Sequence, residues 1–278
     1  MHLLQIYIDE IIHTALKEDI NYIDVATDYL IDDESVSTGT FIAKAQGVLC
    51  GIEIAARVFE LIYPKMEITL LKHDGDTIEK GDKLATIHGS TAMLLKGERV
   101  SLNMLSHMSG IASAVNECVC LIEGTNASIA ETRKTLPGLR ALQKYSVVVG
   151  GGRNHRFNLS DAAMLKDNHI DSFGSITAAV NKLREKIGHT CAVEVEVRSL
   201  DELREALDVK CDLIMLDNMS LEDMRKAVEI TAGKAKLEAS GNVTKDNIRE
   251  IALTGVDIIS MGALTHSVKA LDISFNIA

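Results

Sequence analysis

The sequence predicts an α/β protein in two parts: a small domain of antiparallel strands and helices, then an α/β barrel. Three observations predict it. Over the first hundred residues, β-prone stretches are joined by short Gly-containing turns, the pattern of antiparallel pairing. Beyond that, short β-rich runs recur about every 20–30 residues with helical segments between them, which means parallel strands with right-handed crossovers. Six such runs favour a closed barrel over an open sheet, and no Gly-rich dinucleotide fingerprint opens the series.

In chain order, residues 5–18 place Ile6, Ile8, Ile11, Ile12 and Leu16 at helical spacing, an amphipathic helix. DINYIDVATDYLI is polar and irregular, a loop leading to a short helix. STGTFIAKAQGVLCG reads as strand, Gly-containing turn and strand. Gly51 to Tyr63 reads as a helix stopped by Pro64. MEITLLKHDGDTIEKGDKLATIHGS gives strand, Asp-Gly turn, loop and strand. That stretch is similar to the swinging-arm domains that carry biotin or lipoate, but it has no lysine at a hairpin tip, so the likeness is set aside. From Ala92 to about Gly124 the pattern is helical, with Arg99 beside Glu98 as a surface charge pair.

The six later strands are ASIAET, AAMLKDN, CAVEVEV, DLIMLDN, AKLEASGN and VDIISMGA. Their helices are signalled by a capping box at Ser199–Glu202, by N-caps at Ser220 and Thr244, and by a C-terminal stop at Gly255.

Composition excludes several classes. The apolar fraction is 46%, ordinary for a globular chain, and no run of apolar residues is long enough to span a membrane. MHLLQIYIDEIIHT has acids early and no basic segment ahead of an apolar one, so it does not read as a signal peptide. A net charge of −11 and few aromatics argue against a nucleic-acid surface. Five cysteines, with no C-x-x-C pair, fit reduced thiols in the cytoplasm. Cys118 and Cys120 lie two apart in a helical pattern, which does not make a metal clip.

Against that acidic background, residues 131–170 carry seven Lys or Arg (Arg133, Lys134, Arg140, Lys144, Arg153, Arg156 and Lys166) and only three acids. Such a run is usually a solvated helix face. Here Pro137-Gly138 and Gly150-Gly151-Gly152 break it, and His155-Arg156 follow the triple glycine on a backbone that can approach a ligand closely. A focused site for a small, highly charged anion is the better reading.

What ends each strand supports this. In order come Thr132-Arg133-Lys134, Lys166-Asp167-Asn168-His169, Glu196, Asp217-Asn218, Ser240-Gly241-Asn242 and Ser260-Met261-Gly262. The C-terminal strand ends form the active face of α/β barrels, and the last two loops, small and rich in backbone N–H, stand where such barrels hold a phosphate. Many cations, two acids and a phosphate cradle, without a Ser-His-Asp set, suit a reaction whose substrates bring the charge. Glu196 and Asp217 are expected either to touch ribose hydroxyls or phosphate-bound Mg²⁺, or to pair with local Lys and Arg. His155 is expected to face the anion and His169 to be a hydrogen-bonding or structural residue.

Thr132-Arg133-Lys134-Thr135 with Pro137-Gly138-Leu139-Arg140, Gly150-Gly151-Gly152 with Asn154-His155-Arg156, and Leu165-Lys166-Asp167-Asn168-His169 closely resemble the quinolinate phosphoribosyltransferases, the decarboxylating nicotinate-nucleotide pyrophosphorylases. VEVEV, MLDNM, LEASGNV, ISMGALTHS and KALDIS extend the likeness over nearly the whole chain. It departs where the family has a Gly-Asp pair before a Thr and this chain reads Ile23-Asp24-Val25-Ala26-Thr27.

The resemblance implies an N-terminal α/β sandwich domain over 1–108, an incomplete TIM-like barrel over 109–267, and a last strand, 268–278, returning to the first domain. It implies that quinolinate and 5-phosphoribosyl 1-pyrophosphate, with Mg²⁺, give nicotinate mononucleotide, pyrophosphate and CO₂. Arg133, His155, Arg156 and Lys166, with Arg99 and Thr132, would bind the quinolinate carboxylates and adjoining phosphates. Lys134 and Lys166 would act at the reacting groups. Glu196 and Asp217 would hold the ribose or the metal-bound pyrophosphate. Ser240, Gly241, Asn242, Ser260, Met261 and Gly262 would take the 5-phosphate, with His266 nearby. Arg99 would reach the site of a partner subunit, making an obligate homodimer.

Three other readings stand beside this one. A paralogue of the same fold from molybdenum-transport operons shares the motifs. A Schiff-base aldolase would use Lys134 or Lys166 as nucleophile, but it has no use for the Arg and triple-Gly runs. A non-catalytic sensor would bind the sugar pyrophosphate without turnover.

Overall fold

The structure, a computed structural model, describes residues 3–278, so Met1 and His2 of the N-terminal segment lie outside the described residues. The chain divides into two compact units. One comprises the residues up to Asn116, with Thr135–Gly151 and Leu264–Ala278; the other comprises Glu117–Lys134 and Gly152–Ala263.

The first unit holds helices α1 (Gln5–Asp19), α2 (Thr27–Leu30), α3 (Ile52–Ile62) and most of α4 (Thr91–Leu121). Its strands are β1 (Val36–Ala43), β2 (Gly47–Val48), β3 (Glu67–Leu70), β4 (Thr77–Ile78) and β5 (Lys83–Ser90). It also takes in α5 (Arg140–Val149) and the last strand, β12 (Ile273–Ile277). A four-stranded antiparallel sheet runs β12-β1-β5-β3, so the C-terminal strand does return to it.

Phe41, Phe59 and Phe275 fill the centre, the Phe275 ring 4.6 Å from Phe41 and 5.3 Å from Phe59. Gly39 is where that ring needs room: a Cβ there would lie 2.0 Å from it. Helix α3 starts on a borrowed cap. The Asp74 carboxylate accepts the N–H groups of Gly51 and Ile52 at 2.8 and 3.0 Å, placing negative charge at a helix N-terminus. The turn expected between β1 and β2 exists, but the two strands do not pair. β2 joins β4 in a separate two-stranded sheet, because Leu49 beyond it bonds Asp76 in the Asp-Gly turn.

The second unit carries six parallel strands: β6 (Ser128–Ala130), β7 (Ala163–Leu165), β8 (Val193–Val197), β9 (Leu213–Asp217), β10 (Lys236–Ser240) and β11 (Ile258–Ser260). Between them lie α6 (Asp167–Phe173), α7 (Ile176–Arg184), α8 (Leu200–Asp208), α9 (Leu221–Thr231) and α10 (Ile248–Ala252); α11 (Ala263–His266) follows. The order β6-β11-β10-β9-β8-β7 leaves β6 and β7 as edges, so periodicity misled where it favoured a closed barrel. The chain between those edges forms α5 in the first unit and an irregular return, bridged to β6 only at Ala130–Arg153 among the described residues. No strand is left to close the gap, and the sheet is an incomplete barrel.

Local signals set the helices. Ser199 and Ser220 accept the N–H of Glu202 and Asp223 as caps. Glu202 completes its box one residue early, on the N–H of Arg198 at 2.6 Å. Thr244 is not the cap expected of it: α10 starts at Ile248 with Asn247 in the cap position.

Candidate active site

Strand alternation builds the site. In VEVEV the valines are at most 1% exposed against the helices, and Glu194 and Glu196 take the opposite face. The register aligns Glu196 with Met215 and Met215 with Glu238, and it places Asp217 beside Ser240. The strand ends therefore meet at one edge of the second unit.

Two guanidiniums sit there in an unsatisfied state. Arg156 donates to the carbonyl of Ala162 at 2.9 Å and touches the Met164 sulfur at 3.5 Å. Its Nε, and that of Arg133, are buried without a hydrogen-bond partner among the described residues. Burial and the neighbouring Arg133 charge both push the Arg156 guanidinium below its ordinary value. Buried N–H groups on adjacent like charges are costly unless an anion completes them.

Lys166, half exposed, places Nζ 3.0 Å from the Glu196 carboxylate. Asp217 accepts from the Asn218 amide at 3.0 Å. The ion-pair reading of Glu196 is thus realised, while Asp217 is held by an amide. Asn242 in turn donates to Asn218 at 2.9 Å, which ties the Ser240-Gly241-Asn242 loop to the acid. Asn218 and Asn242 sit at φ 52° and 51°, and Gly241 at φ 91°. A Cβ on Gly241 would lie 2.2 Å from the Asn218 side chain. Gly241→Ala should lose about 1–2 kcal/mol to backbone strain alone, read in a denaturant melt. It should also displace the Asn218 side chain that links this loop to Asp217.

Thr132 accepts the N–H of Lys134 at 3.0 Å, which shapes the turn after β6, and the Lys134 side chain is exposed. His169 behaves as expected: its Nδ1 accepts the Lys166 N–H at 3.0 Å and starts α6. Two expectations are corrected. The His155 ring is only 9% exposed and points at Glu194 and Glu238, 3.3 and 3.6 Å away, because its Nδ1 is taken by the Arg156 N–H at 2.7 Å. In the last loop Ser260 and Met261 are buried, and the Met261 N–H bonds Ala130 at 2.9 Å, so that amide is not offered to a phosphate. Gly262 remains part exposed at the strand end. Arg99 and His266 belong to the first unit; both are exposed, Arg99 beside Glu98 at 3.9 Å and His266 on the Ser267 hydroxyl at 2.7 Å.

Three contributors escaped the strand-end reading: Glu131, Glu194 and Glu238. All three are 0–3% exposed, and Glu131 accepts the His155 N–H at 3.1 Å. A signal existed for two of them: Glu194 and Glu238 lie two residues before Glu196 and Ser240, hence on the same face.

An incomplete α/β barrel whose strand ends gather guanidiniums with buried, unpaired Nε groups, an ion-paired Lys and carboxylates defines a protein suited to a small polyanion. Residues 24–109 match the family model "Quinolinate phosphoribosyl transferase, N-terminal domain" and residues 111–276 match the C-terminal domain model, so the chain belongs to that family. It is 42% identical over 260 residues (94% of this chain, 90% of the relative) to a probable nicotinate-nucleotide pyrophosphorylase [carboxylating] of Bacillus subtilis. It is 40% identical over 272 residues (96% and 95%) to the nicotinate-nucleotide pyrophosphorylase [carboxylating] of Mycobacterium leprae. The crystal structure of NadC from Streptococcus pyogenes superposes with a TM-score of 0.97 at 41% identity, covering 100% of this chain and 99% of that one.

Proposed function

We propose that the protein transfers the phosphoribosyl group of 5-phosphoribosyl 1-pyrophosphate to quinolinate with loss of CO₂, giving nicotinate mononucleotide and pyrophosphate for de novo NAD synthesis. The observation that carries this is the pair of buried, partnerless guanidinium N–H groups of Arg133 and Arg156, in a chain similar along its length to nicotinate-nucleotide pyrophosphorylases. Quinolinate is a dianion with two adjacent carboxylates, which planar guanidinium forks match. Thr132, His155 and Lys166 complete that pocket in this reading, with His155 acting from behind through the Arg156 backbone.

The Ser240-Gly241-Asn242 loop and Gly262 receive the 5-phosphate. Transfer builds positive charge on the ribose, which the Glu196 and Asp217 carboxylates stabilise. Lys134 and Lys166 neutralise the groups exchanged around the anomeric carbon. After transfer, departure of the C2 carboxyl as CO₂ leaves its electron pair on C2, where the adjacent cationic ring nitrogen stabilises it until a proton from solvent completes nicotinate mononucleotide. Glu196 and Asp217 are hard oxygen donors suited to Mg²⁺, which, carried on the pyrophosphate, would neutralise the leaving group.

The names of the relatives favour this reading over the molybdenum-operon paralogue. Lys166 is ion-paired and half exposed, not the desolvated amine an aldolase needs. Two finer elements belong to the proposal: a homodimer in which Arg99 completes the partner's site, and a cytoplasmic location. Large apolar residues stand exposed in the first unit, among them Tyr22 (94%), Tyr29 (73%) and Leu30 (79%), which suits a second copy covering them.

The test is product formation. Nicotinate mononucleotide should appear only with quinolinate, the sugar pyrophosphate and Mg²⁺ together, and chelation should abolish it. For the dimer, mixing inactive Arg99→Ala and Arg133→Ala chains should restore about a quarter of the activity through hybrid dimers with one intact site. A strictly additive, inactive mixture after proven exchange would confine each site to one chain.

A further inference from the structure

Behind the two guanidiniums lies a buried acidic cluster that the proposed chemistry leaves unused. Glu238 on β10 is 1% exposed, Glu194 on β8 is 3% exposed, and Glu131 after β6 is 0% exposed. The His155 ring stands between the first two. Glu238 Oε1 has no hydrogen-bond partner among the described residues, and the Ser260 hydroxyl of β11 adjoins the Glu238 carboxyl. From β9 the neighbour in register is Met215, which does not titrate. The Glu194 charge also acts on Arg156, itself beside Arg133.

His155, Glu194 and Glu238 offer ligand atoms within 4.8 Å of one another, a spacing that would suit a metal ion. The imidazole argues against one. Its Nδ1 accepts the Arg156 N–H at 2.7 Å, so a neutral ring carries its single proton on Nε2, where a metal would have to bind. That N–H points at the two carboxylates instead. It can serve one well, and it lies closer to Glu194, at 3.3 Å, than to Glu238 Oε1, at 3.6 Å. An ionised Glu238 would be left buried and unserved. A protonated one can donate to the Ser260 oxygen or to Glu194.

Building on the quinolinate reading, we infer that Glu238 is a positioning residue, held as a neutral carboxylic acid that fixes His155 and preserves the surplus of positive charge at Arg133 and Arg156. The direction of its acidity agrees. Burial first, then the Glu194 charge, pushes the Glu238 carboxyl up to about 7, against the opposing pull of His155 and Ser260. The cluster also draws a proton toward His155: burial opposes a charge on the ring, but Glu194, Glu238 and Glu131 outweigh it. A second ring proton would have to displace the Arg156 N–H from Nδ1, so the geometry puts the extra proton on Glu238. Below neutrality the proton is in place and the cation surplus is full. As pH rises through about 7 it leaves, and a new buried negative charge opposes the incoming dianion.

The experiment is quinolinate binding to the intact chain by calorimetry across pH 6 to 8.5, with Glu238→Gln as the neutral mimic. Wild type should weaken about tenfold across the range, and Glu238→Gln should bind at wild-type strength at low pH and stay flat. Glu238→Met, volume-matched and uncharged, should also be flat if the Gln variant folds poorly. Carboxyl-¹³C glutamate labelling gives a readout that needs no ligand: one resonance titrating near neutrality, absent from Glu238→Gln. A flat wild-type profile, or the same alkaline weakening in both variants, overturns the inference while leaving the quinolinate reading intact. No quinolinate binding at any pH defeats that reading, and the role given to Glu238 in it. The titrating resonance alone then fixes only where the proton sits.

Discussion

Replacing Arg133 by alanine is expected to lower kcat/KM for quinolinate by about 10²–10³-fold, since truncating one partner of a buried charge pair costs roughly 2–5 kcal/mol. The Arg133 Nε is buried with no described residue to complete it, and the Arg156 charge adjoins it. A guanidinium held this way is a cost in the empty protein and a gain in the complex. The same substitution should therefore leave the thermal midpoint unchanged or raise it, because it removes an unsatisfied donor and a like-charge contact. Arg133→Lys should recover little, since a point charge on a flexible stem does not reproduce the two-pronged donor. Initial rates at varied quinolinate, beside a thermal melt, check both halves. Loss of activity together with loss of stability would mean that Arg133 is a structural residue.

Lys134→Ala should act differently. Its side chain is exposed, and its backbone is fixed by the bond to Thr132, so the turn survives truncation. In the proposed reaction its charge matters most when the pyrophosphate departs and charge is redistributed around the ribose. Turnover is expected to fall about 10²-fold or more with KM changed by no more than about threefold, the signature of an interaction made in the transition state. Steady-state kinetics on both substrates decide it. An unchanged kcat with only a raised KM would make Lys134 a binding residue.

Much of this was legible in the sequence, for physical reasons. Strand ends read well because alternation sends every second residue to one face, and polar side chains at the C-terminal edge have nothing to pack against. Thr132, Arg133, Lys166, Glu196, Asp217 and Ser240 were placed that way. The incomplete barrel was not readable from periodicity. Six evenly spaced strands look like a closing set, and only tertiary pairing shows β6 and β7 unpaired with each other. His155 could not be oriented from its neighbours in sequence either. The Arg156 N–H on Nδ1 and the carboxylates on β8 and β10 turn it inward, and those acids are distant along the chain. The Asn218–Asn242 link depends on two left-handed backbone positions that spacing does not reveal.

The measurement that bears most directly on the central claim is the fate of the two carboxyl groups of quinolinate. With label in the C2 carboxyl, CO₂ release should require the sugar pyrophosphate and Mg²⁺, each omitted in turn, and should match nicotinate mononucleotide one for one. With label in the C3 carboxyl, the label should stay in the nucleotide. No release from a folded chain supplied with all three components would contradict the account, and it would turn the search to other pyridine or pyrimidine carboxylates.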